Sequence, residues 1–417
     1  MDPTTGTASL PGRSAGQLLR DRTYGPYFFG NLTSNCGTWF QNIAMAVVVF
    51  NLTGSALQVG AVSVAQFLAM LTLSPYAGSI TDRVDRRRML MLGQAVSFAG
   101  AAPLAVWVAL VGVEGLPGVW PVMAAALVIG VGNAISTPTM GALVPSLVPP
   151  EDLDQAVALN SVTYNIARTL GPALAAATLA VASPAVAFGA NAFTFVVLFC
   201  VLLVIRPRQV ARTSSGDRSV RAGLRHVRED RHLLLLLIGV AGIGFAGDPV
   251  NTLTPSLAER FGGRDALVGV FVGFYGAGAV LGTVLVARLR GRANLYRLSW
   301  LGLSIMGLGL VLIAASPHRW LATAAFFFAG VGYLFATTGL TTRIQQRVPE
   351  DLRGRVLALW GVAFLGTRPI AALLDGALAD LLGVRLALLG GAAIAFAVAL
   401  LIHRGLREPA PAPAPQT

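Results

Sequence analysis

Long apolar runs alternate with short polar segments along the whole chain. A helix that crosses a bilayer needs about 20 mostly apolar residues, and twelve runs in this sequence reach that length. The pattern therefore predicts an all-α integral membrane protein with 12 transmembrane helices, arranged as two pseudo-symmetric six-helix bundles. The predicted spans are residues 26–50, 57–80, 89–112, 118–143, 156–181, 184–205, 233–257, 266–288, 295–316, 320–342, 355–378 and 384–403.

Polar stretches divide the chain into five predicted segments. The N-terminal bundle is predicted at 26–205, a cytoplasmic linker at 206–232 and the C-terminal bundle at 233–404. Residues 1–25 are polar and are predicted to form a cytoplasmic N-terminal segment. Residues 405–417 end in a Pro/Ala run that offers little to pack against, which predicts a disordered tail.

The composition agrees with a membrane protein and excludes several kinds of chemistry. Hydrophobic residues make up 55% of the chain and charged residues only 12%, whereas soluble domains carry roughly a quarter charged residues. All 31 basic residues are arginine, so no reaction can depend on a lysine amine. The four histidines lie far apart, without the spacing of metal ligands. We therefore expect no metal site.

The arginines fall mainly on one side of the predicted membrane. If the N-terminus is cytoplasmic, 25 of them lie in cytoplasmic segments and 4 in external loops. Such an excess marks the cytoplasmic face, which predicts a multi-pass protein of the cell membrane with both termini inside. It also explains the net charge of +12 without a nucleic-acid partner. The two remaining arginines, Arg168 and Arg368, belong to neither group and lie deep within their predicted spans.

The two halves of the chain share an internal repeat. A shift of 200 residues aligns residues 125–138 with 325–338, both of which contain Gly-Val-Gly, and Arg168 with Arg368. The fourth and fifth spans therefore correspond to the tenth and eleventh. Because six spans separate them, the halves have the same orientation and form parallel repeats.

The loop between the second and third spans carries a recognisable motif. Its sequence, GSITDRVDRRR from Gly78 to Arg88, resembles the loop signature of the major facilitator superfamily, although Asp85 stands where that family usually has a glycine. Residues 148–175 and 348–369, which follow the fourth and tenth spans, resemble the branch of enterobactin exporters and macrolide efflux pumps. The resemblance covers essentially the whole chain and implies the major facilitator fold.

The resemblance also implies that the loop gates the transport cycle. Asp82 would accept hydrogen bonds from a neighbouring helix N-terminus and from an arginine, closing one face of the protein. The alternative is that these arginines only fix the topology. The predicted gating residues are Gly78, Asp82, Arg83, Arg86 and Arg87, with Arg353 and Arg355 as candidate latch partners.

Polar residues in the first span share an arc of about 120° at 100° per residue. In the superfamily fold the first, fourth, seventh and tenth helices line the central cavity, so this stripe is a candidate substrate surface. The alternative is that single amides only bridge helices. The predicted cavity residues are Asn31, Asn35, Thr38, Gln41, Asn42, Asn133, Asn251 and Tyr333, and Ser34 also lies on the stripe.

Four intramembrane charges are candidates for proton coupling. Asp248 is the leading carboxylate, because burial would favour its protonated form, although Asp-Pro followed by Asn251 also predicts a helix break. Asp375 lies nearer the outer end of its span. Arg168 and Arg368 each need a partner or a wet cavity. They could shape an electropositive cavity or bond helix-end carbonyls.

We therefore expect a secondary active transporter rather than an enzyme, acting as an antiporter that exports an amphipathic antibiotic, siderophore or other secondary metabolite. The proton motive force would supply the energy, without a cofactor, and the protein would be monomeric in the bilayer. An importer or symporter of the same fold is the nearest alternative. A lipid scramblase or a polytopic membrane enzyme would also span the bilayer, but the acidic pairs of this chain do not suit a magnesium site.

Overall fold

The computed structural model describes residues 13–81, 84–208, 220–263, 265–288, 294–349 and 352–405. Five predictions fall outside that description in whole or in part. They are the N-terminal segment up to residue 12, the gating residues Asp82 and Arg83, the side chains of Arg168 and Arg353, residues 209–219 of the linker, and the tail beyond residue 405.

The described residues form α-helices and two short 3-10 helices, and they contain no strand. The α-helices are α1 (Ala15–Leu19), α2 (Tyr24–Thr53), α3 (Ala56–Thr81), α4 (Arg86–Val111), α5 (Trp120–Leu143), α6 (Leu153–Val181), α7 (Pro184–Val204), α8 (Val220–Glu229), α9 (Arg231–Ala246), α10 (Pro249–Thr252), α11 (Thr254–Arg260), α12 (Asp265–Arg288), α13 (Leu295–Ala315), α14 (Arg319–Arg347), α15 (Arg353–Gly366), α16 (Arg368–Leu382) and α17 (Val384–Gly405). The 3-10 helices, Val144–Ser146 and Pro150–Asp152, connect α5 to α6.

Ten stretches of helix within the described part of the chain are long and apolar enough to cross a membrane. The two remaining predicted spans coincide with α2 and α6, which are helices of 30 and 29 residues. The prediction of an all-helical, multi-pass membrane protein is confirmed, and the predicted total of twelve spans is consistent with the helices observed.

Two spans predicted as continuous are interrupted in the structure. The seventh divides into α9, α10 and α11, as the Asp248-Pro249 pair predicts, because proline lacks the N–H that would continue the helix. The eleventh divides at Thr367 into α15 and α16. The apolar pattern did not predict this second interruption.

The chain packs as two compact units. The first contains Met1–Ala44, Ala69–Pro172 and Ala182–Ser214. In it α4 packs against α5 and α7, and Tyr24, which is fully buried, donates to the carbonyl oxygen of Ala156 at 2.8 Å.

The second unit contains Met45–Leu68, Ala173–Val181 and Ser215–Thr417. It therefore includes the end of α2 and the start of α3 together with all the helices from α8 to α17. In it α14 packs against α12 and α13, and α17 packs against α13 and α9. The predicted boundaries of the two six-helix bundles stay a prediction.

Candidate functional site

A buried ion pair joins the two interrupted spans of the second unit. Nε of Arg368, the first residue of α16, lies 3.6 Å from Oδ1 of Asp248, which immediately precedes α10. Their side chains are only 7% and 2% exposed. Thr252 donates its hydroxyl to the second carboxylate oxygen of Asp248 at 2.6 Å. Both oxygens of the acid thus have a partner.

Local sequence explains why both charges lie at helix starts. Asp248 is followed by Pro249 and Arg368 by Pro369, and each proline lies in the first turn of its helix. Proline suits that position because its missing N–H would have no intrahelical partner there. Thr367 also donates to the carbonyl oxygen of Ala241 at 3.2 Å. The break between α15 and α16 is therefore held against α9.

Asp375 is a second buried acid near this pair. It lies seven residues beyond Arg368 on α16, about 10 Å along the helix axis, and is 2% exposed. Its Oδ2 has no hydrogen-bond partner within the described structure, and it is close enough to Asp248 to interact with it electrostatically. A buried carboxylate oxygen that lacks a donor carries a desolvation cost.

Aromatic rings also border the ion pair. The guanidinium of Arg368 lies 5.1 Å from the ring centroid of Phe67 on α3, a distance that suits a cation–π contact. Tyr333 on α14 is buried and its ring lies 5.6 Å from that of Tyr275. A Cβ added to Gly247, next to Asp248, would be 3.4 Å from the Tyr333 ring. Predicted residues from the seventh, tenth and eleventh spans therefore lie close together.

The polar stripe of α2 contacts several helices of the first unit. Asn31 donates to Asn160 of α6 at 3.0 Å and accepts from Asn35 at 2.7 Å. Asn35 is half-buried, as are the predicted cavity residues Thr38 and Asn42. In the other predicted cavity helices, Asn133 and Asn251 are also half-buried.

Two other members of the stripe connect α2 to different neighbours. Ser34 donates to Gln94 of α4 at 2.9 Å, and Gln94 donates to Ser136 of α5 at 3.1 Å. Gln41 accepts a hydrogen bond from Asn191 of α7. These three bridges hold helices together, which is the structural alternative for those positions. The assignment of the stripe to substrate binding stays a prediction.

The arginines of the motif loop bind helix ends within the first unit. Arg86 donates to the carbonyl oxygen of Ala142 at 3.0 Å, near the end of α5. Arg87 donates to the carbonyl oxygens of Leu202 and Leu203 at the end of α7. A cation at a helix C-terminus is stabilised by the carbonyl dipoles. These contacts give both arginines a structural role.

The structure also describes Asp85 and Gly78 of the motif loop and the candidate latch partner Arg355. Asp85, the residue that departs from the family pattern, caps α4 by accepting from the backbone N–H of Arg88 at 2.9 Å. Gly78 on α3 and Arg355 on α15 are half-buried. The predicted latch contact itself involves Asp82, which lies outside the described residues.

Thr252 and Phe67 are site residues that the sequence did not single out. Thr252 could have been found from its spacing of four after Asp248, which places both side chains on one helix face. Phe67 belongs to an apolar stretch of α3, where nothing in the local pattern distinguishes it.

The apolar helices, with a charge pair buried where two of them are interrupted, define a multi-pass membrane protein. Solved structures share its fold. A bacterial homolog of the human lysosomal transporter Spinster, inward-facing and unoccupied, matches with a TM-score of 0.71 and 13% identity over 93% of this chain and 98% of that one. The nucleoside transporter NupG matches with a TM-score of 0.69 and 10% identity over 92% and 99%.

The chain belongs to the transmembrane secretion effector family of the major facilitator superfamily, whose model matches residues 15–412. It is a transporter and not an enzyme. Macrolide efflux protein A of Streptococcus pyogenes is 25% identical, over 82% of this chain and 86% of that protein. A staphyloferrin A transporter of Staphylococcus aureus is 26% identical over 86% and 90%. An enterobactin exporter of Shigella boydii is 27% identical over 81% and 80%.

Proposed function

We propose that the protein exports an amphipathic small molecule across the cell membrane in exchange for protons. It works as a monomer with both termini in the cytoplasm, uses the proton motive force and needs no cofactor. The observation that carries this proposal is the buried pair of Asp248 and Arg368 beside Asp375. Related proteins named for macrolide efflux and siderophore transport support export.

The charge balance of the site suits proton exchange. One arginine serves two acids, so the cluster is neutral only when one acid carries a proton. In the structure Arg368 pairs with Asp248, and Asp375, whose Oδ2 has no partner among the described residues, would carry the proton. If water reaches the cluster from the other side during the cycle, Asp375 can ionise, because hydration lowers the cost of its charge. Alternation between these states would move one proton per cycle.

The half-buried amides supply a surface for the cargo. Asn35, Thr38 and Asn42 are half-buried polar residues on the largely apolar helix α2, a combination that suits molecules with both characters. We propose that the substrate lies against this face, with Asn133 on α5 as a further candidate in the same unit, and Tyr333 on α14 is a separate candidate in the second unit. Asn31 fixes the position of Asn35 through their hydrogen bond.

Gating of the cytoplasmic side is assigned to the motif loop. Asp82 would bind the start of α15 near Arg353 and Arg355, and release of that contact would open the inner side. Arg86 and Arg87 anchor the loop to the ends of α5 and α7, which supports a rigid base for such a contact. In the first half Arg168, the repeat partner of Arg368, is the remaining candidate intramembrane charge.

Purified protein in liposomes tests the proposal. A pH-sensitive dye inside the vesicles reports proton movement when a macrolide or a catechol siderophore is added outside. We expect substrate-dependent proton flux in wild-type vesicles and none in empty ones. Proton movement in the same direction as the substrate would instead indicate a symporter that acts as an importer. Lipid exchange between leaflets without proton flux would indicate a scramblase and contradict the proposal.

A further inference from the structure

The first turn of α3 is capped by a carboxylate from another helix. Oδ1 of Asp380 on α16 accepts from the backbone N–H of Ala56 at 2.9 Å, and its Oδ2 accepts from that of Leu57 at 3.2 Å. The hydroxyl of Ser55 donates to Asp380 at 2.6 Å and accepts from the N–H of Gln58 at 3.2 Å. The first three N–H groups of α3 have no intrahelical partner. Asp380 satisfies two of them and Ser55 the third.

The cap lies at one end of a continuous contact between α16 and α3. Positions spaced by four residues on α16 meet α3 in sequence, because that spacing keeps side chains on one face. Arg368 contacts Phe67, a Cβ added to Gly60 would meet the backbone of Ala372, and a Cβ added to Gly376 would meet Ala56 and Leu57. Asp380 is the next position. The two helices therefore run antiparallel, with the ion pair at one end of the contact and the cap at the other.

The negative charge of Asp380 complements the helix end that it caps. The N-terminus of α3 carries the positive end of the helix dipole, which favours a carboxylate. The turn before it is tight, because Gly54 adopts a φ of +63° between α2 and α3. Asp380 is exposed, so water can replace it when the helices separate. These hydrogen bonds can therefore favour the arrangement in which α3 and α16 are in contact, and they can be exchanged for bonds to water.

We propose that Asp380 is a positioning residue that keeps the outer end of the protein closed. The proposed orientation places the α2–α3 turn outside, so the proposal rests on the proposed function for its sidedness. In the state described here Asp380 clamps the start of α3 to α16. The outward-facing state requires this clamp to open.

Thiol labelling in intact cells tests this proposal. Val59 on α3 is 2% exposed, so a cysteine there reacts with a membrane-impermeant maleimide only when the outer end opens. The two native cysteines, Cys36 and Cys200, are first replaced by alanine. We expect Asp380→Ala to raise the labelling rate of Val59→Cys by about tenfold, within the range that loss of a helix cap produces. Ser55→Ala, which removes both bonds of the hydroxyl but keeps the two backbone bonds to Asp380, should give a smaller increase.

Glu114→Gln provides the matched control, since it removes an exposed acid from the loop between α4 and α5, on the same predicted side. An unchanged rate in Asp380→Ala, or an equal increase in Glu114→Gln, would overturn the proposal. So would labelling that rises only in inverted vesicles, where the reagent reaches the opposite face. The assay needs neither substrate nor a proton gradient. Failure of the export proposal would therefore appear in the liposome measurement and not here.

Discussion

Arg368 and Asp248 meet where two membrane helices are interrupted, and each residue is followed by a proline in the chain. An interruption leaves backbone N–H and C=O groups without intrahelical partners. It also allows a side chain at the break to point along the axis of the next helix. In this protein both breaks bring a charge to the same buried place. Movement of either helix segment would therefore change the distance between the two charges.

Loss of one member of this pair should destabilise the protein strongly. Asp248→Asn leaves Arg368 buried without its counter-ion, which typically costs about 3–5 kcal/mol. The melting temperature of the detergent-solubilised protein, followed by tryptophan fluorescence, should fall. The double variant Asp248→Asn with Arg368→Gln should recover part of the loss, because no lone charge remains. Additive losses in the double variant would show that the two residues do not act as a pair.

Asp375→Asn should abolish proton coupling while it leaves the thermal stability nearly unchanged. The asparagine is close in shape to a neutral aspartic acid, and Oδ2 of Asp375 has no partner to lose in the described structure. We expect the melting temperature to stay within a few degrees of the wild type. Substrate-dependent proton flux in liposomes should disappear. Asp154→Asn, which changes an exposed acid at the start of α6, should leave both measurements unchanged. Normal proton flux in Asp375→Asn would remove this acid from the coupling mechanism.

Two acids of the motif loop should respond differently to the same change. Asp82→Asn should abolish transport while insertion into the membrane stays normal, because the proposed latch needs the carboxylate. Asp85→Asn should keep transport, since in the described part of the chain Asp85 caps α4 and asparagine is an equally good cap. Transport and expression are measured on the same membranes. Full activity of Asp82→Asn would rule out the latch and leave the loop with its topological role alone.

The N-terminal segment should remain docked over the physiological pH range. The backbone N–H of Arg13 donates to Asp152 at 2.6 Å and its guanidinium at 2.6 Å. These bonds hold the pKa of Asp152 below its usual value. An acid with a lowered pKa contributes stability above its unfolded pKa of about 3.9, and that contribution is lost as pH falls through the lowered folded value. Release is therefore expected only below about pH 4.

A spin label on Gly16→Cys measures this docking. A Cβ at Gly16 meets nothing within 4 Å, so the label should not disturb α1, and Cys36 and Cys200 are again replaced. The spectrum should stay constant from pH 8 to pH 5. Asp152→Asn should increase label mobility throughout that range. A change in label mobility near pH 6 in the protein with Asp152 intact would contradict this prediction and would point to another titrating group.

The overall fold followed from the sequence because membrane insertion imposes a simple length and polarity rule on each helix. The break before Pro249 was also visible. The break at Thr367 was not, because Arg368-Pro369 lies inside a long apolar run and the helical period continues across it. An alternative reading of that proline as the start of a new helix would have found it.

The sequence predicted which residues belong to the candidate site, but not which of them are in contact. A helical wheel places Asn31, Ser34 and Gln41 on one arc of α2, but it does not show that they meet α6, α4 and α7. Likewise Asp248 and Arg368 were both singled out, yet their pairing depends on packing between distant parts of the chain. Asp85 shows the opposite case. Its role as a cap follows from its position just before α4, whatever the family pattern.

The start of α3 also has a consequence for measurement. While Asp380 holds the amide hydrogens of Ala56 and Leu57, they are protected from solvent exchange, and once the helices part they have only water as a partner. Their deuterium uptake therefore counts excursions to the open form, and its rate relative to a free amide gives the free energy of opening in the resting protein. Under the proposed clamp, deuterium uptake at these two backbone positions would report opening of this end of the protein without any added probe.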